Sequence, residues 1–276
     1  MLDKILRILP TFKGKQRLAR LLLKSKFSCL RDVLIQGKYD CTYKVPNIKE
    51  SIGFELYING VYEEEIINFI KRRIPFNGIF LDIGANIGAI TMPLIKQRKD
   101  IKATCIEASL NVFSCLRFNT KNNQLHNCNL VNKAVTDIDG DVVSFFSPPE
   151  QFGKGSLSSV FTEDAEYVET ITLDTLVAKN NILKVNFIKI DIEGYEYYAF
   201  KGGVLLLTSD TAPDILFEFV DWAEGLAKDL KPGDAQKLLI DYGYDLFIVS
   251  KMGKLTALTI PLTKGAAMIF ASKKVI

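Results

Sequence analysis

Residues 80–88 read FLDIGANIG. An apolar run ends in a carboxylate, Asp82, and two glycines follow, Gly84 and Gly88, before a second apolar segment. A glycine at the first position lets the chain turn tightly and a ligand come close to the backbone. A glycine at the second lets a helix begin close to the strand. The spacing sorts ligands: a dinucleotide loop reads G-x-G-x-x-G and a phosphate loop G-x-x-x-x-G-K-[ST], whereas this chain has D-x-G-x-x-x-G. A carboxylate ahead of the first glycine repels a pyrophosphate. It suits a cation such as the sulfonium and amino group of S-adenosylmethionine. Glu107 ends the next apolar run, 23 positions after Gly84, where an acid can accept hydrogen bonds from both ribose hydroxyls.

A second group of chemical residues lies in FIKIDIEGYE, 187–196. Strand alternation puts Lys189, Asp191 and Glu193 on one side. Charges at the end of a buried strand are costly unless they are paired or meet a ligand. Two readings follow: a lysine–acid pair that ties the strand to its neighbour, or a cluster that holds an acceptor and takes its proton. A hydroxyl acceptor needs a base or a metal. Asp191, Glu193 and Glu218 are the candidates, Asp191 being wanted beside the cation as well. No clear metal-ligand set accompanies them, and no metal is expected. His126 is a base by type, but it precedes a strand at the amino edge, away from where such sheets bind ligands. Trp222 could stack on a sugar or anchor a lid. The glycine- and serine-rich stretch 147–162 reads as a loop, either covering an acceptor pocket with Ser156, Ser158 and Ser159 or simply solvated.

The elements that must position these residues alternate from 79 onward. Strands are expected at 79–83, 103–106, 130–135, 142–146, 187–190, 215–219, 246–249 and 268–271, and helices at 87–97, 109–122, 173–180, 195–207 and 235–242. Strands separated by helices call for a doubly wound α/β parallel sheet, with the last two strands as an antiparallel pair at one edge. Before that, 1–36 reads as helical, 39–45 and 54–58 as strands, 59–60 as a turn, and 62–74 as an amphipathic helix with Glu63, Glu64 and Glu65 opposing the positive dipole end.

These segments together resemble the class I S-adenosylmethionine-dependent methyltransferases, and within them the FkbM family. The resemblance spans about Ile52 to Val249 and rests on GVYEEE (60–65), FLDIGANIG, CIEAS (105–109), NKAV (132–135), ITLDTL (171–176), KIDIEGYE and ILFEF (215–219). CIEAS departs from the family, which commonly has proline after the acid. The resemblance implies a Rossmann-like, mostly parallel seven-stranded sheet over 51–276, preceded by a helical extension over 1–50. It also implies methyl transfer to a hydroxyl of a saccharide, glycoconjugate or natural product. By position it would put Asp82, Gly84, Asn86 and Gly88 along the methionine part of the donor, Glu107 on its ribose, Ala134 and Val135 beside adenine, and Asp191 facing the sulfonium. The rival readings are a dinucleotide-dependent oxidoreductase and a non-enzymatic module that binds a membrane or a partner.

Composition narrows the classes. Apolar residues make up 48% and charged residues 24% of the 276 positions, which suits a globular enzyme and excludes disorder. The net charge of +3 is too balanced for a dedicated nucleic-acid binder. It is unevenly placed: residues 1–26 hold eight basic residues against Asp3 alone. Interleaved with Leu2, Ile5, Leu6, Leu9, Leu18, Leu21 and Leu22, these suggest helices whose apolar stripe docks on the body, the other reading being peripheral contact with anionic lipid. Five scattered cysteines and one histidine argue against a disulfide framework or zinc site and fit a reducing cytoplasm. Neither a secretory signal nor a membrane span is expected.

Overall fold

The computed structural model describes residue 9 and residues 14–27, 31–160 and 162–274. The expected helical positions Leu2, Ile5 and Leu6, with Lys4, Arg7 and Lys13, lie outside the described residues. Helix α1 (Lys15–Phe27) is followed by strands β1 (Arg31–Gln36) and β2 (Thr42–Asn47), an antiparallel hairpin. The helical expectation for 31–36 therefore fails. Val-Leu-Ile at 33–35 fits either period, and pairing with β2 decides it, leaving Ile35 buried and Leu34 exposed.

Helix α2 (Ser51–Asn59) replaces the strand expected at 54–58. Glu50 caps it by accepting from the amides of Ile52 and Gly53, and Gly60, at φ 73°, ends it. Ile52, Phe54, Leu56 and Ile58 alternate like a strand because this helix is buried on several sides. Helix α3 (Glu64–Arg73) follows, with Glu64 and Glu65 in its first turn and Ile67 and Ile70 buried.

The alternating core then runs through β3 (Ile79–Ile83), α4 (Thr91–Gln97), β4 (Lys102–Ile106), α5 (Leu110–Asn122), β5 (Cys128–Val131), β6 (Ala134–Val135), β7 (Val142–Phe146) and β8 (Ala165–Ile171). It continues through α6 (Leu173–Lys179), β9 (Phe187–Ile190), α7 (Glu196–Lys201), α8 (Val204–Thr208), β10 (Asp214–Val220), α9 (Asp221–Leu226), α10 (Asp234–Asp241), β11 (Asp245–Val249), β12 (Leu255–Ala257) and β13 (Ala266–Ser272). The strand expected at 130–135 is two, in different sheets, and the helix expected at 195–207 breaks at Gly202-Gly203.

The large sheet has the order β12-β11-β13-β10-β9-β3-β4-β5. Strands β10, β9, β3, β4 and β5 are mutually parallel, and β13 lies antiparallel between β10 and β11. This is the doubly wound, mostly parallel sheet with an antiparallel late pair, seven strands wide plus the short edge strand β12. Strands β6, β8 and β7 form a second, three-stranded sheet. Alternation divides the core: Phe80, Phe187, Leu216 and Phe270 pack on one face with the hairpin's Tyr43 and Val45, and Leu81, Ile188, Ile215 and Ile269 on the other. Each such buried side chain contributes about 1.5–3 kcal/mol. That dense core fixes the strand ends from which the site projects. Against expectation, α1 turns Lys15 and Ala19 to the body, while Leu18, Leu21 and Leu22 stand exposed.

Candidate active site

Parallel strands aim their carboxyl ends at one cleft. Its wall takes Gly84 and Asn86 after β3, Glu107 after β4, Asp191 and Glu193 after β9, and Glu218 from β10. Ala134 and Val135 of β6, both buried, form an apolar stretch of the same wall. The cleft therefore gathers most of the residues singled out in the sequence, across a span from 84 to 218.

Gly84 has φ 73°, and a Cβ there would lie 1.9 Å from the carbonyl oxygen of Asp191. The glycine thus lets the β3 loop cross the end of β9. Backbone donors in this loop are already used. The amides of Gly84 and Ala85 donate to the Ile106 carbonyl at 3.0 and 2.9 Å, that of Asn86 to Glu107 Oε2 at 2.9 Å, and that of Ile87 to Asn86 Oδ1 at 2.9 Å. A phosphate group would find no free N–H among them. Gly88, at φ 84°, sits outside the wall; a Cβ there would meet Leu116 and Met92 at 3.0 and 3.1 Å. It serves helix packing.

Asp82 also stands behind the wall rather than in it. It is fully buried, its Oδ2 accepts from the Thr91 hydroxyl, and its Oδ1 has no hydrogen-bond partner. Asp82 and Lys189 are register partners on adjacent strands, and Lys189 Nζ lies 4.0 Å from Oδ1. Burial raises the Asp82 carboxyl, and Lys189 lowers it. The same ammonium donates to Asp191 Oδ2 at 3.2 Å. Burial pulls Lys189 down, but Asp191, Asp82 and Glu63 outweigh it and hold the ammonium above its ordinary value. The strand-tying pair and the acidic cluster are therefore one arrangement.

Glu107 is buried with one protein donor on each oxygen: the Ser109 amide at 2.9 Å on Oε1 and Asn86 on Oε2. Each oxygen keeps a lone pair for a ligand. Burial pushes Glu107 up to about 7. Glu193 is held at φ 52° and is pushed to about 7, by burial and then by Asp191. Burial, then Asp191 and Glu193, push Glu218 to about 8.

The sequence reading missed Glu63. It was assigned to a first turn, but it precedes α3 as the N-cap, at φ 44° and without a side-chain cap bond. Burial pushes it to about 7, with Lys189 opposing. Glu63 stands behind the wall, whose Glu50, Tyr62, Lys133 and Tyr195 were also not singled out. Tyr62 and Glu63 lie in GVYEEE, Lys133 in NKAV and Tyr195 in KIDIEGYE, so those motifs carried a signal; Glu50 lies outside all of them.

The stretch after β7 lines the cleft through Phe152, Gly153, Lys154 and Gly155. Asn86 Nδ2 donates to the Phe152 carbonyl at 2.9 Å, fastening this stretch to the β3 loop. The serines act as fasteners: Ser156 Oγ donates to the Glu193 carbonyl at 3.2 Å, and Ser158 Oγ lies 3.0 Å from the Tyr195 hydroxyl. Trp222 opens α9, 45% exposed and outside the wall, and His126 is exposed before β5. Among the described residues no group of three or more His, Cys, Asp or Glu is arranged to hold a metal.

These residues fit an adenosine-bearing, cationic methyl donor. A buried carboxylate with spare acceptors suits a ribose diol, the Ala134–Val135 wall suits an adenine ring, and the acidic end suits a sulfonium. Fold and cleft together define an S-adenosylmethionine-dependent methyltransferase. The Methyltransferase FkbM domain family matches residues 82–246, more than half of the chain, and the chain belongs to that family. No curated protein matches the sequence. Among solved structures it is similar to precorrin-6y C5,15-methyltransferase of Geobacter metallireducens, at 13% identity over 77% of this chain and 87% of that one, TM-score 0.44. It is also similar to a TehB-like S-adenosylmethionine-dependent methyltransferase of Corynebacterium glutamicum, at 14% identity over 77% and 88%, TM-score 0.42. A third is the glycopeptide N-methyltransferase MtfA in complex with S-adenosylmethionine, at 14% identity over 76% and 93%, TM-score 0.40.

Proposed function

We propose that the enzyme methylates a hydroxyl of a saccharide, glycoconjugate or natural product, and that it works in the cytoplasm. The observation that carries the reading is the triplet Asp191, Glu193 and Glu218 in the wall that also holds Glu107. Bound S-adenosylmethionine supplies an electrophilic methyl group. Glu107 takes the ribose hydroxyls, Ala134 and Val135 flank adenine, and Asp191, held by Lys189, faces the sulfonium. Glu193 and Glu218 orient the acceptor hydroxyl and accept its proton. Both are pushed to about 7 and about 8, near the value that suits a base at neutral pH.

The test is labelled-methyl transfer to a panel of saccharides, with Glu193→Gln and Glu218→Gln assayed for single-turnover rate and S-adenosylhomocysteine affinity. Loss of turnover in at least one variant at unchanged affinity is expected. Label appearing on an amine instead of a hydroxyl, or full turnover in both variants, would overturn the reading.

A further inference from the structure

Among the described residues, helix α1 meets the body through Lys15, Ala19 and Arg20. Ala19 is buried against Ile48, Phe54 and Ile58. Arg20 lies 4.1 Å over the Phe54 ring and donates to the Lys49 carbonyl at 3.1 Å. Lys15, 2% exposed, donates to the Leu9 carbonyl at 2.7 Å. Among the described residues, these contacts leave one face of α1 without cover. Leu18, Leu21 and Leu22, spaced three and four apart and so on one face, are 41%, 77% and 46% exposed. Leu9, tied to α1 by Lys15, is 42% exposed. Arg17, exposed, flanks the strip.

We propose that this leucine strip is a docking surface for an anionic phospholipid bilayer, set beside the active-site cleft. Three observations select that occupant. An apolar strip that the fold leaves in water calls for an apolar partner. The segment that carries it, residues 1–26, has eight basic residues against one acid; with Lys15 and Arg20 turned to the body, six are left against Asp3, so the partner is anionic. The helix is also anchored at Lys49, next to Glu50, Ser51 and Ile52 of the cleft wall. Docking through α1 therefore keeps the segment that supplies these wall residues next to the membrane-bound helix. Leucines entering the acyl boundary with basic residues at the headgroups is the interfacial-helix mode.

The test is co-sedimentation of the full chain with phosphatidylcholine vesicles, with and without phosphatidylglycerol, at low and high salt. Binding is expected only with phosphatidylglycerol, weakened roughly tenfold or more by high salt. Leu18→Ser/Leu21→Ser/Leu22→Ser should lose it while keeping the thermal shift given by S-adenosylhomocysteine. Binding by this variant equal to wild type would overturn the proposal. So would no binding to anionic vesicles at low salt, or a wild-type dimer by light scattering that the variant converts to monomer. Vesicle binding without any S-adenosylhomocysteine shift would instead sink the donor-site reading and leave the docking surface standing.

Discussion

Lys189 Nζ donates to Asp191 Oδ2 at 3.2 Å from a position only 5% exposed. This one ammonium also serves Asp82, 4.0 Å away on the neighbouring strand. It thereby links the floor of the glycine loop to the acidic end of the cleft.

Lys189→Met keeps the bulk and removes the charge. Two carboxylates then lose their cation, one of them fully buried. Removing one partner of a buried ion pair costs about 3–5 kcal/mol, so the denaturant midpoint should fall markedly. Urea unfolding of the variant measures this; an unchanged midpoint would show that the ammonium does not compensate Asp82.

Glu107→Ala removes the acceptor of the Asn86 and Ser109 amides as well as the proposed ribose partner. Hydrogen bonds to a charged group contribute about 1.5–3 kcal/mol, so S-adenosylhomocysteine should bind at least tenfold more weakly. Calorimetry on wild type and variant checks it, with a 2′,3′-dideoxy analogue showing little difference between them.

Stability should depend on pH through Glu63 and the cleft acids. Glu63, Glu107 and Glu193 are pushed to about 7 and Glu218 to about 8, from an ordinary 4.5. Between the unfolded and folded values the native state binds more protons, so stability falls as pH rises from about 4.5 to about 8. A cationic donor reverses this, because it favours the ionised acids. Affinity for S-adenosylmethionine should rise with pH over that window more than affinity for the neutral-sulfur product. Equal pH slopes for the two would contradict the placement of the sulfonium beside these acids.

Gly84→Ala places a methyl group where the Asp191 carbonyl already stands, at positive φ. Such backbone strain costs about 1–3 kcal/mol. The variant should unfold at lower temperature and lose donor affinity together, since the β3 loop and the β9 end shift as one. Thermal scans with and without S-adenosylhomocysteine separate this from a clean binding defect, in which stability without ligand would be unchanged.

Much of the cleft wall was legible in the linear chain. The run from Phe80 to Gly88, the acid at 107 and the acids from 191 to 196 are local patterns, and strand–loop–helix order alone places them at one sheet edge. The tertiary structure decided what local pattern cannot carry. The pairing of Asp82 with Lys189 joins residues more than a hundred positions apart through strand register. The roles of Gly84 and Gly88 depend on what lies opposite them: the end of β9 for one, Leu116 of α5 for the other. Helix α2 lost its helical period because it is buried on several sides, and Glu63 comes within electrostatic reach of Lys189 and Asp191 only through the turn that carries it there. The leucines of α1 show the same limit. Their spacing marks a helix face, but only packing shows that Ala19 and Lys15 take the body and leave the leucines outside.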